Sequence, residues 1–275
     1  MQKYFSLNEN FDDIIKNTLK NKQIKLIKPV TTGWTNIVFE VETNDGSYFF
    51  RFPRDDFWIR TIVKDCEFSN YIYRKTSYNT VLLKQFSNNN RAFSVHKKIE
   101  GTALTTKMNK LTPNEIQSVS YEIADFMVQL HNIKFNENDI FKVNNIGLNL
   151  VDFLNELVEK HLSQKDKVFW KYNEFEKKDS SCLVHGDLNP GNIILDNKNH
   201  ISAIIDFGFA GYGNKYFDIA RIIGRLPKEY KEEIIKSYEN ITNEKLDLNN
   251  LDTEIEIWDS IDNGYKNYMH SVGIC

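Results

Sequence analysis

The first hundred residues alternate between hydrophobic and polar positions in short runs that turn residues interrupt. Alternation over four to eight residues is typical of half-buried β-strands. An Asn-Asp-Gly-Ser turn at 44–47 is a hairpin signal, and Pro53 ends the run that follows it. The pattern predicts a small antiparallel sheet with two helices beside it. The predicted strands are 24–30, 37–43, 48–52, 80–86 and 91–99, and the predicted helices are 8–20 and 59–75.

Beyond residue 101 the spacing of hydrophobic positions lengthens from two residues to the helical repeat. Pro113 opens a segment in which apolar residues recur at helical spacing as far as Leu130. Further amphipathic segments lie at 150–162, 228–240 and 252–268. A short apolar strand at 201–205 interrupts them. The second part of the chain is therefore predicted to be mostly helical, with one β-hairpin inside it.

Composition and charge narrow the class of protein. The chain has 275 residues, of which 41% are hydrophobic and 27% charged, as expected of a soluble enzyme with a sizeable core. A net charge of −3 gives no polybasic surface for nucleic acid or membrane.

No apolar run is long enough to span a bilayer, and the polar, acidic start is unlike a signal peptide, so we expect a cytoplasmic location. Three scattered cysteines predict free thiols: Cys66, Cys182 and Cys275.

Residues 185–208, HGDLNPGNIILDNKNHISAIIDFG, carry the densest group of reactive side chains. His-x-Asp-x₄-Asn is followed 14 residues after its Asn by Asp-Phe-Gly, and an apolar strand lies on each side of the connecting turn. This spacing matches the catalytic and metal loops of kinases. A phosphoryl-transfer site needs one carboxylate at the attacking hydroxyl and further oxygens that hold Mg²⁺ on the nucleotide. The alternative is an Asn/Gly-rich hairpin whose acids are incidental.

The roles follow from the positions in this motif. Asp187 is the candidate catalytic base, because it precedes the amide by the spacing that kinases use. Asn192 and Asp206 are the candidate Mg²⁺ ligands, because Mg²⁺ favours hard oxygen donors. His185 is expected to hold the loop through backbone hydrogen bonds. Asp218 is expected to cap the next helix or to tie the catalytic loop together.

Three features upstream suit the phosphates of a nucleotide. In the turn at 31–36, Thr35 and Asn36 can donate hydrogen bonds from their side chains to a phosphate. The alternative is a plain hairpin turn that binds no phosphate. Arg51, on the third predicted strand, can bind phosphate bidentately. Glu67, 16 residues further on, is the predicted partner that orients Arg51, with Asp65 as its local competitor. For Arg51 the alternative is a surface arginine on an edge strand. For Glu67 the alternative is a solvated charge on the helix.

The nucleobase is expected to lie against the segment 94–100, which leads to Glu100-Gly101 as a hinge. Kinase hinges bind the base mainly through backbone groups. The candidate positions are Lys97 and Ile99. Because backbone contacts carry little side-chain information, the sequence leaves ATP and GTP equally open as phosphoryl donors.

The form of the loop also identifies a family. It begins His-Gly-Asp, with Asn-Pro-Gly before Asn192, and it resembles the aminoglycoside phosphotransferase and choline-kinase-like family, the small-molecule relatives of protein kinases. The resemblance is strongest over 182–220 and traceable over 28–135. The stretch Phe-Arg-Phe-Pro-Arg at 50–54 resembles the 2″-type aminoglycoside enzymes, although the family usually has lysine at the position of Arg51.

This resemblance implies an α+β, two-lobed, protein-kinase-like fold. Residues 1–100 would form an N-terminal nucleotide-binding lobe, with an antiparallel sheet and a helix. Residues 101–275 would form a mainly helical C-terminal lobe with the catalytic hairpin and the acceptor site. The implied cofactors are Mg²⁺ and ATP or GTP.

The acceptor is the part that the sequence specifies least. An acidic stretch near the C-terminus offers Trp258, Asp259 and Asp262, which would suit a cationic acceptor if they lay beside Asp187. A solvated helix face is the alternative. The resemblance implies an aminoglycoside hydroxyl as acceptor, or alternatively a small alcohol or sugar such as choline, an amino sugar or a capsule-sugar intermediate. A non-catalytic nucleotide-binding protein is disfavoured by the joint presence of Asp187, Asn192 and Asp206. A protein kinase is disfavoured by the short connection after Asp206.

Overall fold

The computed structural model describes residues 5, 9–31, 33–134, 150–167 and 182–273. An antiparallel sheet with two helices forms the first lobe, and helices surround two small β-structures in the second. The predicted α+β, two-lobed, kinase-like fold is therefore confirmed.

Five strands form the sheet of the first lobe in the order β1-β2-β3-β5-β4. One face of this sheet packs on the first helix, where Ile15, Phe50, Phe52 and Phe93 are all buried. Because successive side chains of a strand point to opposite faces, Phe49 and Arg51 face away from this core and into the cleft between the lobes. The elements are α1 (Phe11–Thr18), β1 (Ile24–Val30), β2 (Asn36–Thr43), β3 (Gly46–Pro53), β4 (Lys84–Asn88) and β5 (Arg91–Lys97).

The helix of the first lobe, α2 (Asp56–Ile72), begins three residues earlier than the predicted 59 and ends three residues earlier than the predicted 75. Asp55 fixes its start, because one carboxylate oxygen accepts from the backbone N–H groups of Phe57 (2.7 Å) and Trp58 (3.2 Å). The helix ends before Arg74, which has a positive φ of 67°.

The strand predicted at 80–86 forms only in part. β4 starts at Lys84, and Thr80 instead makes a single parallel bridge to Ile204 in the second lobe. The N–H of Ile204 donates to the carbonyl of Asn79 at 2.9 Å. The segment before β4 therefore ties the catalytic hairpin to the first lobe and does not extend the sheet.

The predicted helices of the second lobe are all present. α4 (Pro113–His131) starts with a capping box, in which Thr112 and Glu115 bind each other's backbone N–H groups. The last helix starts at Leu248, before the predicted 252, because the Asp247 side chain caps it. The remaining elements are β6 (Thr102–Ala103), α3 (Leu104–Lys107), α5 (Leu150–His161), β7 (Cys182–Val184), β8 (Ile193–Leu195), β9 (Ile201–Ile204), β10 (Gly211–Gly213), α6 (Lys215–Ile223), α7 (Lys228–Thr242) and α8 (Leu248–Ser271).

Two further sequence predictions concern membranes and cysteines. Within the described ranges, no helix has both the length and the apolar character that a membrane span requires. Cys66 and Cys182 are free thiols, and burial raises the pKa of each to about 12, so both are protonated at neutral pH. Cys275 lies outside the described residues.

Candidate active site

The catalytic loop lies between β7 and β8, and Asp218 of α6 holds its backbone. Asp218 is fully buried, and its carboxylate accepts from the N–H groups of His185 (2.8 Å) and Gly186 (2.9 Å). His131 contacts the same carboxylate at 3.2 Å. Asp218 therefore ties the loop together, one of the two predicted roles. The other role, the cap of α6, belongs to Asn214, which accepts from the N–H of Tyr216.

Gly186 is required by the shape of this loop. It has a φ of +76°, and a Cβ at this position would lie 2.5 Å from the carbonyl oxygen of Phe209. His185 Nε2 lies 3.1 Å from the carbonyl of Ile205 and donates to it, so His185 holds the loop as predicted. The loop and the Asp-Phe-Gly turn are thus packed directly against each other.

Asp187 reaches the cleft with 22% of its side chain exposed. The amide nitrogen of Asn192 donates to the carbonyl of Asp187 at 2.9 Å and lies 3.5 Å from its Oδ2. Because the nitrogen of this amide faces Asp187, its oxygen is left available for another partner. Arg221 Nε donates to Oδ1 of Asp187 at 2.8 Å.

Asp206 lines the same part of the cleft as Asp187. The backbone of Asp206 is strained. Its φ of +70° is in the left-handed region, which a non-glycine residue adopts at an energetic cost. Arg51 Nη2 donates to its Oδ1 at 2.9 Å. Burial opposes ionisation of Asp206, but the charge and hydrogen bond of Arg51 outweigh it and lower the pKa of Asp206. Asp206 is therefore a carboxylate at neutral pH.

The prediction that Glu67 is the ion-pair partner of Arg51 is wrong. Asp65 makes the ion pair with Arg51, and it also accepts from the N–H of Phe207 (2.8 Å) and from Ser69 (3.0 Å). Asp65 is fully buried, whereas Glu67 is half-buried. The two acids are two residues apart on α2, so they point in nearly opposite directions around the helix. Arg51 is thus held between Asp65 and Asp206.

Replacing Asp65 with asparagine is expected to destabilise the fold by about 3 kcal/mol, because it leaves part of the buried Arg51 charge without its partner. Glu67→Gln, on the same helix, is the matched control and is expected to change stability by less than about 0.5 kcal/mol. Urea unfolding of both variants measures the difference. Equal losses in the two variants would show that Asp65 has no special role beneath Arg51.

The residues of this site fit Mg²⁺. A carboxylate from Asp206 and an amide oxygen from Asn192 are hard donors, and Mg²⁺ bound by few protein ligands takes its other ligands from phosphate and water. Among the described residues, no group of three or more His, Cys, Asp or Glu side chains is placed to hold a metal.

A cavity of about 330 Å³ between the lobes suits a nucleobase. Ile99 lines it, together with apolar side chains from both lobes. The exposed side chain of Lys97 lies beside Gly46, and the neighbouring Lys98 lines the cavity. A backbone contact of Lys97 with the base stays a prediction. His96 also lines the cavity, and burial together with Arg51 lowers the pKa of His96 to about 4, so the imidazole is neutral.

A second, larger cavity of about 680 Å³ adjoins the first, and Arg51 and Asp206 line both. Thr35 and Asn36 lie on its first-lobe side, and Asp187 lies on its second-lobe side. Asn36 Nδ2 donates to the Thr35 hydroxyl at 2.9 Å, which leaves the hydroxyl hydrogen free to donate to a phosphate. Most of the predicted phosphate, metal, nucleobase and catalytic residues therefore line one connected cleft: Thr35, Asn36, Arg51, Ile99, Asp187 and Asp206.

Aromatic rings form one wall of the larger cavity. Trp34, on the turn before β2, stacks on Tyr265 of α8, with ring centroids 6.2 Å apart and 27° between the planes. Trp58 packs edge-on against Tyr265 at 5.5 Å. Three of the rings are almost fully buried, whereas Trp34 is 41% exposed. The ring-bearing residues that line the cavity are Trp34, Trp58, Phe209, Trp258 and Tyr265.

Comparison with protein families decides the class of this site. Residues 26–245, most of the chain, match the phosphotransferase enzyme family called APH. The chain belongs to this family. The prediction of a phosphotransferase of the aminoglycoside phosphotransferase-like kinase type is therefore confirmed.

Individual relatives of this APH-family protein are distant. Protein LicA of Haemophilus influenzae is 27% identical over 143 residues, which cover 50% of this chain and 52% of LicA. The chain thus spans about half the length of the curated relatives it matches. Two solved structures superpose over most of both chains. The GDP and kanamycin complex of APH(2″)-IIIa has a TM-score of 0.66, 16% identity and coverage of 92% and 88%. The streptomycin–ATP–APH(2″)-IIa complex has a TM-score of 0.65, 20% identity and coverage of 94% and 90%.

In this APH-family chain the predicted acceptor residues fall into two groups. Trp258 and Asp262 line the larger cavity, but Asp259 is not among its lining residues. Asp262 binds Arg221 (2.5 Å) and Arg225, and Asp259 lies 3.5 Å from Arg225. The acids that were predicted to face an acceptor are therefore already paired with arginines.

These two arginines, and the rings from α2 and from the turn before β2, were not predicted from the sequence. Arg221 and Arg225 both line the larger cavity. One signal was available: Arg221 lies three residues after Asp218, so the two side chains share one face of α6. Once Asp218 was assigned to the catalytic loop, Arg221 was the next residue pointing the same way.

Proposed function

We propose that this APH-family protein transfers the γ-phosphoryl group of ATP or GTP to a hydroxyl of a small molecule. One observation supports this most directly: Arg51 and Asp206 line both a base-sized cavity and a larger, aromatic-walled cavity, and Asp187 lines the larger one. Asn192 adjoins this group, because its amide nitrogen donates to the carbonyl of Asp187. The first cavity would take the nucleoside and the second the acceptor. Their junction would take the triphosphate.

In the reaction, the acceptor oxygen forms a bond to the γ-phosphorus while the bond from that phosphorus to the β–γ bridging oxygen breaks. The nucleoside diphosphate leaves, and the hydroxyl proton passes to Asp187 and then to solvent. Arg51 and Thr35 would bind phosphate oxygens. Asn192 and Asp206 would hold Mg²⁺, which when bound neutralises charge on the phosphates.

An aminoglycoside is the first candidate acceptor. The carboxylates of Asp187 and Asp262 line the larger cavity, and carboxylates suit the ammonium groups of such molecules. The superposed APH(2″) structures are complexes with kanamycin and streptomycin. A cavity of about 680 Å³ is large enough for a molecule of drug size.

A small alcohol or sugar, such as choline or an amino sugar, is the second candidate, and the paired charges favour it. Arg221 and Arg225 neutralise the acids at the larger cavity, which leaves little negative charge for a polycation. The aromatic wall, in contrast, suits a sugar face or one quaternary ammonium group. Between the two classes, the site geometry supports the smaller acceptor better.

A phosphotransfer screen tests this proposal. Purified protein with Mg²⁺ and either ATP or GTP would be assayed against aminoglycosides, macrolides, choline and amino sugars, with Asp187→Asn as the blank. Turnover on choline or amino sugars alone would support the second candidate, and turnover on aminoglycosides alone would support the first. Phosphotransfer that persists equally in the blank would contradict the proposed site.

A further inference from the structure

The guanidinium group of Arg221 lies at the centre of a small network on the wall of the larger cavity. Its Nε and Nη2 both lie 2.8 Å from Oδ1 of Asp187, and its Nη1 donates to Asp262 at 2.5 Å. The Trp258 ring lies beneath it, with 4.6 Å between the guanidinium carbon and the ring centroid. The Arg221 side chain is only 12% exposed. Contacts on three sides therefore fix its position.

The neighbours of Arg221 are themselves held in place. Trp258 Nε1 donates to the carbonyl of Phe217 at 3.2 Å, which docks α8 on α6. Asp262 also binds Arg225, so its carboxylate is held from a second side. An arginine in such a setting has little freedom to follow a moving partner. It can instead impose its own geometry on Asp187.

One face of α6 thus contacts the catalytic loop twice. Asp218 binds the backbone N–H groups of His185 and Gly186, and Arg221, one turn later, binds the side chain of Asp187. The first contact fixes where the loop runs. The second fixes how the carboxylate of its reactive residue is turned.

We propose that Arg221 is a positioning residue for Asp187. It holds Oδ1, so that Oδ2 is the oxygen presented to the acceptor hydroxyl, on the side where Asn192 Nδ2 lies 3.5 Å away. Arginine suits this role because its planar fork can bind two carboxylates in fixed directions, which a lysine ammonium cannot do. The inference rests on the proposed function, since it assigns Asp187 to the acceptor.

The test compares Arg221→Met, Arg221→Ala and Arg221→Lys with the wild type, and Lys215→Met serves as a matched control. Lys215 is a cation on the same helix that pairs with Glu244 outside the cleft. Turnover would be measured with Mg·ATP and Mg·GTP, using kanamycin, choline, glucosamine and water as acceptors. Nucleotide binding would be measured by calorimetry, and the Asp187 side chain would be located in a crystal structure of Arg221→Met.

We expect Arg221→Met to lower kcat by about 10- to 100-fold, because a small misplacement of a reacting group costs that much. KM and nucleotide affinity should change by less than about threefold, which separates loss of positioning from loss of binding. Millimolar guanidinium should restore part of the turnover of Arg221→Ala, whose short side chain leaves space for it. The kcat of Arg221→Lys should lie between those of Arg221→Met and the wild type. In the crystal structure, the Asp187 carboxylate should leave its wild-type orientation. Lys215→Met should behave as wild type.

Two results would overturn the inference: wild-type kcat in Arg221→Met, or an unmoved Asp187 carboxylate in its crystal structure. A loss of turnover without guanidinium rescue, matched by a lower melting temperature, would make Arg221 merely structural. Failure of the proposed function looks different. In that case Asp187→Asn would keep wild-type turnover, whereas the crystallographic result would still decide the orientation of Asp187.

Discussion

Replacing Asp187 with asparagine is expected to reduce phosphotransfer by about 10²–10⁴-fold, the range for loss of a general base. The amide keeps the shape of the side chain but has no negative charge to accept the hydroxyl proton. Asp187 forms no described contact with Arg51 or Asp206, so the phosphate and metal groups should remain in place. Nucleotide affinity should therefore change little.

The measurement is single-turnover phosphotransfer beside calorimetric titration with Mg·ATP and Mg·GTP. Asp196→Asn is the matched control, because Asp196 lies on the same hairpin and accepts backbone N–H groups of Lys198 and His200. An asparagine oxygen can still accept those bonds, so turnover should survive. A near-normal rate in Asp187→Asn would remove Asp187 as the base.

The second large effect is expected at Asp206, where asparagine is the most informative substitution. Asn tolerates left-handed backbone angles better than most residues, so the φ of +70° should be retained while the negative charge is lost. We expect turnover to fall by about 100-fold or more, because charge stabilisation by a held metal is worth several kcal/mol. The Mg²⁺ concentration needed for half-maximal nucleotide binding should rise.

Titration of nucleotide binding with Mg²⁺, with and without chelator, tests this expectation. Binding in chelator should change far less than binding in Mg²⁺, since Arg51 keeps its ion pair with Asp65 in the variant. An unchanged Mg²⁺ dependence would mean that Asp206 is not a metal ligand. The metal site would then have to be sought elsewhere in the cleft.

Local sequence patterns predicted most of the fold. The alternating runs located β1, β2, β3 and β5 to within one or two residues at most ends, and the helical repeat located α4, α5 and α7. Each of these segments buries one face, so the spacing of its hydrophobic residues predicts it directly. β4 was placed too early because the apolar residues Val81 and Leu83 pack into a small cluster with Cys66 outside the sheet.

The ion-pair partner of Arg51 shows why a nearly correct element was insufficient for the site. Asp65 and Glu67 lie inside the helix whether it starts at the predicted 59 or at Asp56, so the element alone does not choose between them. On a helix, a shift of two residues moves a side chain to the opposite face. Glu67 and Asp65 are equally plausible by spacing alone, and only the packing of α2 against the Asp-Phe-Gly turn separates them.

The acceptor side was less predictable because its contacts join distant parts of the chain. Arg221 meets Asp187 across 34 residues and Asp262 across 41. The local sequence around each partner shows no motif, so ion pairs between residues this far apart could not be predicted from spacing. The acids at 259 and 262 were visible in the sequence, but the arginines that neutralise them were not tied to them by any spacing rule.

The stack of Trp34 on Tyr265 joins the turn before β2 to the last helix across the larger cavity. Trp34 belongs to the turn that was predicted to cover the phosphates, and Tyr265 belongs to α8, which lines the larger cavity. A motion that lifted this turn away from α8 would part the two rings and widen the larger cavity from its first-lobe side. Because the chain has four tryptophans and Trp34 is 41% exposed, the difference in fluorescence between the wild type and Trp34→Phe would report such a motion.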